Sequence, residues 1–428
     1  MGVRFSVHPP GAVRRLARVL LASSLAAALS AALATPAQAQ LEPGDIVVAD
    51  EDVKKILRVD PATGAVSVLA SSPLFNLPSD VAIDAAGNVI VSDFNADPAG
   101  LGGNTGAIFR FAPGQAPAVL AASPLFVDPS GVTTDAEGNI LVSDFNAGGG
   151  DGAILRFGPG EAPALLATSP QFSGPADVAV DAIGDVLAVD GSKIFRFAAG
   201  EAPSTLAASP QLESPTRISI DPAGNILVSD YTGLGGGAVF RFAPGEAPAP
   251  LVASSSLFRR PRGVATDATG NIVTSNDFTP PGAPGSSLFR FAPGETPAVL
   301  ASSELLQEVG GIAIVPPKCF GRFATIVGDS AKNTLRGTKG ADVIWGGGGN
   351  DKLIGRGGKD RICGEGGKDK LSGGNGKDRL SGGKGPDRLA GGKGNDVLKG
   401  GKGNDRLIGG PGKDKLRPGK GRKDKVKQ

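Results

Sequence analysis

The sequence predicts an all-β chain, a six-bladed β-propeller followed by a run of nonapeptide repeats. Three observations carry this. A four-strand pattern recurs about every 46 residues from Asp45 to Pro317, ten nine-residue units follow without insertion from Gly328 to Arg417, and the charge divides sharply between the two parts.

The ends and composition set limits first. Arg4, Arg14, Arg15 and Arg18 precede an apolar run from Val19 to Ala34, and Ala37-Gln38-Ala39 follows. This is the pattern of a secretory signal peptide over residues 1–39, and Arg14-Arg15 leaves the export route, general or twin-arginine, open. The run is shorter than the ~20 residues a membrane span needs, so a secreted chain without a transmembrane segment is expected. Its removal takes away His8, the only histidine, which excludes imidazole chemistry from the mature protein. Cys319 and Cys363 both remain, and in an oxidising compartment one disulfide between them is expected. Residues 40–317 hold 13 Lys+Arg against 30 Asp+Glu, net −17, whereas residues 318–428 hold 27 against 12, net +15. Such asymmetry marks two domains with different partners.

Each propeller unit justifies its strands in turn. "VAIDAAGNVIVSD" (81–93), "VTTDAEGNILVSD" (132–144), "VAVDAIGDVLAVD" (178–190), "ISIDPAGNILVSD" (218–230) and "VATDATGNIVTSN" (264–276) each read as two strands joined by a Gly-Asn or Gly-Asp turn. A third strand of the type "AIFRFAPG" and a fourth of the type "APAVLAAS" follow. The chain enters at residues 45–72 with only the second, third and fourth strands of a blade. It leaves with "GIAIVPP" (311–317), which supplies the missing first strand and closes the ring.

Asp50, Asp93, Asp144, Asp190 and Asp230 stand at equivalent strand ends, with Asn276 in the sixth blade. Repetition in blade after blade marks turn or cap residues, because a catalytic site needs different groups converging from different blades. Arg110, Arg156, Arg196, Arg241 and Arg290, each flanked by apolar residues as in "FRF", point away from the core and are expected to be solvated or paired with Asp. The Gly-rich loops at 94–106, 145–152 and 231–237 share one rim, where propellers place ligand contacts. No Lys-Ser/Thr follows them, so they make poor phosphate cradles.

The D-x-x-G-N-x-x-V-x-D pattern, as in Asp84, Gly87, Asn88, Val91 and Asp93, resembles the NHL-repeat propellers and specifies no activity. Gluconolactonase-like and streptogramin-lyase-like propellers are similar in blade pattern. The lyase resemblance implies a catalytic histidine that the mature chain lacks. The lactonase resemblance implies a divalent metal held by carboxylates in the central channel, which makes a propeller hydrolase or lactonase the runner-up.

The nonapeptides read GDSAKNTLR, GTKGADVIW, GGGGNDKLI, GRGGKDRIC, GEGGKDKLS, GGNGKDRLS, GGKGPDRLA, GGKGNDVLK, GGKGNDRLI and GGPGKDKLR. They resemble the hemolysin-type or RTX repeat, G-G-x-G-x-D-x-U-x with U a large apolar residue. One Leu or Ile in nine residues is too little apolar area to offset the chain entropy of so glycine-rich a segment, so another agent must hold it. The resemblance implies a parallel β-roll over residues 318–417, with two repeats per turn and calcium between repeats n and n+2. The matching ligands are Asp342, Asp351, Asp360, Asp369, Asp378, Asp387, Asp396, Asp405 and Asp414, which pair into at most seven sites, and the loops from Gly373 to Asp414 match best. Asn333 replaces the first Asp, and from residue 418 the pattern fails, so 418–428 is expected to be a disordered basic tail.

The departure from the resemblance is the basic charge. Seven calcium ions would take +15 to +29, so calcium should bind weakly, in the ~0.1 to 1 mM range of extracellular modules, and an anionic cell-envelope polymer or polysaccharide would relieve the repulsion. Nucleic acid is disfavoured by the scarcity of aromatic stacking platforms. The expected function is therefore a secreted, extracellular or wall-associated calcium-binding protein, non-enzymatic, with a recognition propeller and a roll that folds on calcium after export.

Overall fold

The computed structural model describes residues 40–428 except 97, 99–104, 182, 249, 253–258, 278–281, 422–423 and 428. The expected signal peptide at 1–39 lies outside the described residues, as does part of the 94–106 loop. Leu41–Gln428 packs as one unit.

Alternating apolar strands joined by tight turns build six four-stranded antiparallel blades. The ring closes as the sequence requires. Val309–Ile314 pairs with Ile46–Asp50, setting Ile46 opposite Ile314, so the last strand completes the first blade. Blades two to four begin at Pro78–Ile83, Pro129–Thr134 and Asp177–Val180, and blades five and six at Pro215–Ile220 and Pro261–Thr266. Third-strand aromatics fill the spaces between blades: Phe109, Phe195, Phe240 and Phe289 are fully buried, and Phe75 and Phe172 meet Phe109 and Phe195 edge-on, each at 5.1 Å between centroids.

The third-strand arginines turn outward and reach the Asp that opens the preceding turn. Arg156 meets Asp135 at 2.6 Å and Arg241 meets Asp221 at 2.6 Å, Arg196 spans Asp181 and Asp185, and Arg110 and Arg290 pair with Asp84 and Asp267. The same Asp residues accept backbone N–H groups of their own turns, so each turn is locked to a neighbouring strand.

Beyond the propeller the chain forms two six-stranded parallel sheets, each strand paired with the one 18 residues later. Leu335, Ile344, Leu353, Ile362, Leu371, Leu380, Leu389, Leu398 and Leu407 stack into one buried column. The roll does not stop at Arg417. Lys425–Lys427 pairs with Arg406–Ile408, so the segment expected to be a disordered tail carries a further repeat, one residue longer than the others.

A short hairpin, Lys318–Cys319 with Arg322–Phe323, lies over the roll and is tied to it by the Cys319–Cys363 disulfide. Closing a 44-residue separation stabilises the fold by about 4 kcal/mol on the chain-entropy argument. The first coil sits on the propeller: Phe323 fills the space over Gly87, where a Cβ would meet its ring at 2.2 Å, and Ser330 Oγ donates to Thr269 O at 3.3 Å. Thr325, Ile326, Val327, Thr334, Leu335 and Thr338 therefore line the same cavity of about 570 Å³ as the first strands of the blades. One mouth of the propeller channel is capped by the roll.

Candidate metal centre

The sixth position of the nonapeptides faces inward at a bend between the two sheets, and up to Asp405 its side chain is buried. Asp351, Asp360, Asp369, Asp378, Asp387, Asp396 and Asp405 are 0 to 2 % exposed. Their Oδ1 atoms form two ladders, one at each bend, each atom accepting the backbone N–H of the residue one coil earlier: Asp342 N to Asp360 and onward to Asp396 N on Asp414 at 2.9 Å along one, and Asn333 N to Asp351, Asp351 N to Asp369 and onward to Asp387 N on Asp405 along the other. Asp405 N continues the second ladder to Asp424 at 2.9 Å. Asp424 was missed because the extra residue breaks the nine-residue count, although "KDKVK" repeats the local pattern.

The other carboxylate oxygen is the one that matters chemically. Oδ2 of Asp351, Asp360, Asp369, Asp378, Asp387, Asp396 and Asp405 is buried without a hydrogen-bond partner. Such an oxygen is costly in a low-dielectric interior unless a proton or a cation meets it. The glycine at the first position makes the space: a Cβ at Gly373 would lie 2.3 Å from Asp378 Oδ2 and 2.6 Å from Gly391 O, and Gly364, Gly382 and Gly391 repeat this. Bare carboxylate oxygens beside glycine carbonyls form an all-oxygen donor set, which suits a hard cation such as calcium. Among the described residues no three His, Cys, Asp or Glu side chains cluster as a metal site, so backbone carbonyls must complete the coordination. Asp342 differs, because its Oδ2 accepts Thr338 N at 2.8 Å.

Burial, followed by neighbouring carboxylates, pushes these acids up. Asp360 and Asp387 reach about 7, and Asp351, Asp369 and Asp378 about 6. Asp342, Asp396 and Asp405 are raised by burial as well.

The equivalent propeller carboxylates are caps. Asp93 accepts N–H from Asn76 and Leu77 at 2.9 Å each, Asp144 from Val127 and Asp128, Asp190 from Ser173, Asp230 from Glu213 and Ser214, and Asp50 from Gln307. Asn276 Oδ1 does the same for Arg259 N. Each pins the strand connection entering its own blade.

Repeat equivalence hid a second cluster. At one first-strand position the six blades carry Asp80, Gly131, Asp177, Arg217, Gly263 and Gly311, and the charged three line the channel. Asp80 Oδ2 accepts Val132 N at 2.9 Å and Asp177 Oδ2 accepts Ile218 N at 2.8 Å, each bridging to the next blade. Arg217 Nε lies 3.7 Å from Asp80 Oδ1, while Asp177 Oδ1 has no hydrogen-bond partner. Burial and the charge of Asp80 push Asp177 up to about 8. The signal was the variation among blades at one position, not the repetition.

No curated protein matches the chain. Among solved structures, a streptogramin B lyase shares 15% identity over 64% of this chain and 84% of its own, TM-score 0.45, and a virginiamycin B lyase from Staphylococcus aureus shares 14% over 64% and 86%, TM-score 0.47. A protein of unknown function from Bacteroides caccae shares 12% over 63% and 98%, TM-score 0.47. The RTX calcium-binding nonapeptide repeat family (4 copies) matches residues 327–362, 354–389 and 381–416. The protein is a six-bladed β-propeller joined to a C-terminal RTX-type calcium-binding nonapeptide repeat domain.

Proposed function

We propose that this is an exported, non-enzymatic calcium-binding protein, in which an NHL-like propeller serves recognition or display and the roll completes its folding on calcium outside the cell. The observation that carries the calcium reading is the row of seven buried Asp Oδ2 atoms without partners, one per nonapeptide from Asp351 to Asp405. A cation that binds the folded state stabilises it by mass action, so the low calcium of the cytoplasm would leave the roll open for export. The ligands would be Asp351 to Asp414, with Asp424 added at the distal end, and the partner class an anionic envelope polymer or polysaccharide. No helix among the described residues is long and apolar enough to cross a membrane.

Trp345, the only tryptophan, lies in the roll and packs against the Cys319–Cys363 region. Calcium titration of the mature, disulfide-intact protein, with magnesium as control, should give a saturable change in its emission and in far-UV circular dichroism. An identical spectrum with and without calcium, up to several times ~1 mM, would remove the proposal.

One observation favours a second reading, a propeller hydrolase with a channel metal: Asp80 and Asp177 converge there. Arg217 beside Asp80 already supplies the positive charge that a metal would bring. Hydrolase or lactonase activity lost on D80N and D177N substitution would promote this reading over the first.

A further inference from the structure

The outer face of one roll sheet carries a straight row of cations. Lys352, Lys370, Arg388, Arg406 and Lys425 stand directly opposite one another in successive strands, all exposed, so positive charges follow at the ~4.8 Å strand spacing. Like charges opposed in this way destabilise a sheet. None of the five forms an ion pair among the described residues, and the motif carboxylates from Asp342 to Asp405 are buried.

The second sheet is built differently. Its matching row is broken, Arg361, Arg379, Val397, Lys415, and the hairpin covers it: the Phe320 ring lies 4.7 Å from Arg379 and 5.2 Å from Lys399. Only the first sheet offers an uninterrupted and uncovered row.

Beside that row runs a strip of low polarity, Ile354, Ser372, Ala390 and Ile408, also in register and half-buried and closed distally by Lys427, and beyond it Gly374 stands between Arg356 and Gly392. A row of cations edging a flat, weakly polar floor matches a linear polymer with regularly spaced anions on one edge and C–H surface on its face. A 1,4-linked uronate chain has one carboxylate per sugar and advances by about one strand spacing per sugar, so the carboxylates that its twist returns to one edge stay in step with the strands. Duplex DNA carries denser charge, one per ~1.7 Å of axis, and single strands need aromatic platforms, of which this strip has none.

We propose that this row is the binding surface for an acidic polysaccharide of 1,4-linked uronates, laid across the strands with the carboxylates of its inner edge in register with the cations. This deepens the partner class proposed above and rests on that reading. Calcium inside the roll would add positive charge beneath the row, so calcium and polymer should each strengthen the binding of the other.

The test uses the mature full-length protein at fixed calcium and a short oligogalacturonate with as many uronates as the row has cations, below the length that gels, followed by calorimetry. K370Q/R388Q/R406Q removes the centre of the row; K384Q/K402Q/R417Q removes the same charge from exposed positions on the other sheet. The row variant should weaken binding about ten-fold, as expected for three exposed ion pairs, and the control less than about two-fold. Equal loss in both would reduce the effect to net charge and overturn the proposal, as would absence of binding by the unaltered protein or a row variant that alters only self-association. Calcium titration of the same samples by far-UV circular dichroism separates the two readings. Row-specific binding without a calcium response sinks the calcium reading alone, and a calcium response without oligouronate binding sinks this one alone.

Discussion

Calcium loading of the roll should expel protons, and the buried carboxylates set how many. Without an ion, Asp360 and Asp387 titrate at about 7, and Asp351, Asp369 and Asp378 at about 6, because burial and then neighbouring carboxylates disfavour the charged form. In the unfolded chain each returns to about 4. The ion-free fold thus holds more protons than the unfolded chain: its stability is greatest below about pH 4 and falls as pH rises through 6 and 7. Calcium needs the ionised form. At pH 6 about nine-tenths of Asp360 and Asp387 and about half of the other three are protonated, so saturation should release about three protons per chain. At pH 7 only about half of the first two and a tenth of the others remain, so release should fall to a little over one, and near pH 8.5 to almost none. Calorimetric calcium titrations in pairs of buffers with different ionisation enthalpies report this number directly. Release below about one proton at pH 6, or release that grows with pH, would refute the argument that burial protonates these groups. Circular dichroism melts without calcium should show the complementary trend, with the roll less stable at pH 8 than at pH 5.

Two further outcomes test the roll and the channel separately. Gly376 has φ of 143° and a Cβ there would fall 1.5 Å from Gly358 O, whereas Gly160, at φ 83°, faces open space; G376A should abolish the calcium response of the coils around it, while G160A should cost only about 1 to 2 kcal/mol of left-handed strain in a denaturant titration. Asp177 is held largely protonated at neutral pH, so D177N should change stability little at pH 7, whereas R217M strands the buried Asp80 carboxylate and should cost about 3 to 5 kcal/mol in the same urea unfolding assay.

The parts of the fold that repeat were legible because repetition is itself a measurement of environment. The nine-residue unit with its fixed Leu and Asp carries the nonapeptide resemblance, which implies two units per turn, and the observed pairing of Leu353 with Leu371 has that spacing. The closing strand was legible because a blade was short by one strand at the entry and one strand remained at the exit. Positions that differ among repeats were not legible by the same logic. Asp80, Asp177 and Arg217 occupy a site where three other blades carry glycine, and only the ring geometry brings them to one channel. Asp424 was concealed by one inserted residue, although its carboxylate continues the ladder by accepting Asp405 N. Asp342 shared the motif yet differs in environment, because Thr338, unlike the Gly at that place in most later repeats, turns its N–H to the carboxylate.

The first coil explains why the departure from the repeat falls at Asn333. Its Oδ1 accepts Asp329 N at 2.9 Å and its own N–H reaches Asp351, so a neutral amide closes the bend that a carboxylate would leave with a bare oxygen. Asp342 comes next, with its second oxygen held by Thr338. The unpartnered series therefore starts at Asp351, beyond the coil that Phe323 and Ser330 hold against the propeller turns at Gly87 and Thr269. In a stack whose units contact only their neighbours, an end that is stable by itself templates the next unit. Protein contacts and the Cys319–Cys363 bond supply that end here, and on the calcium reading the ion is needed only for the coils further out. The cap over the channel then stands without calcium, and the basic outer coils are the part of the molecule that calcium switches.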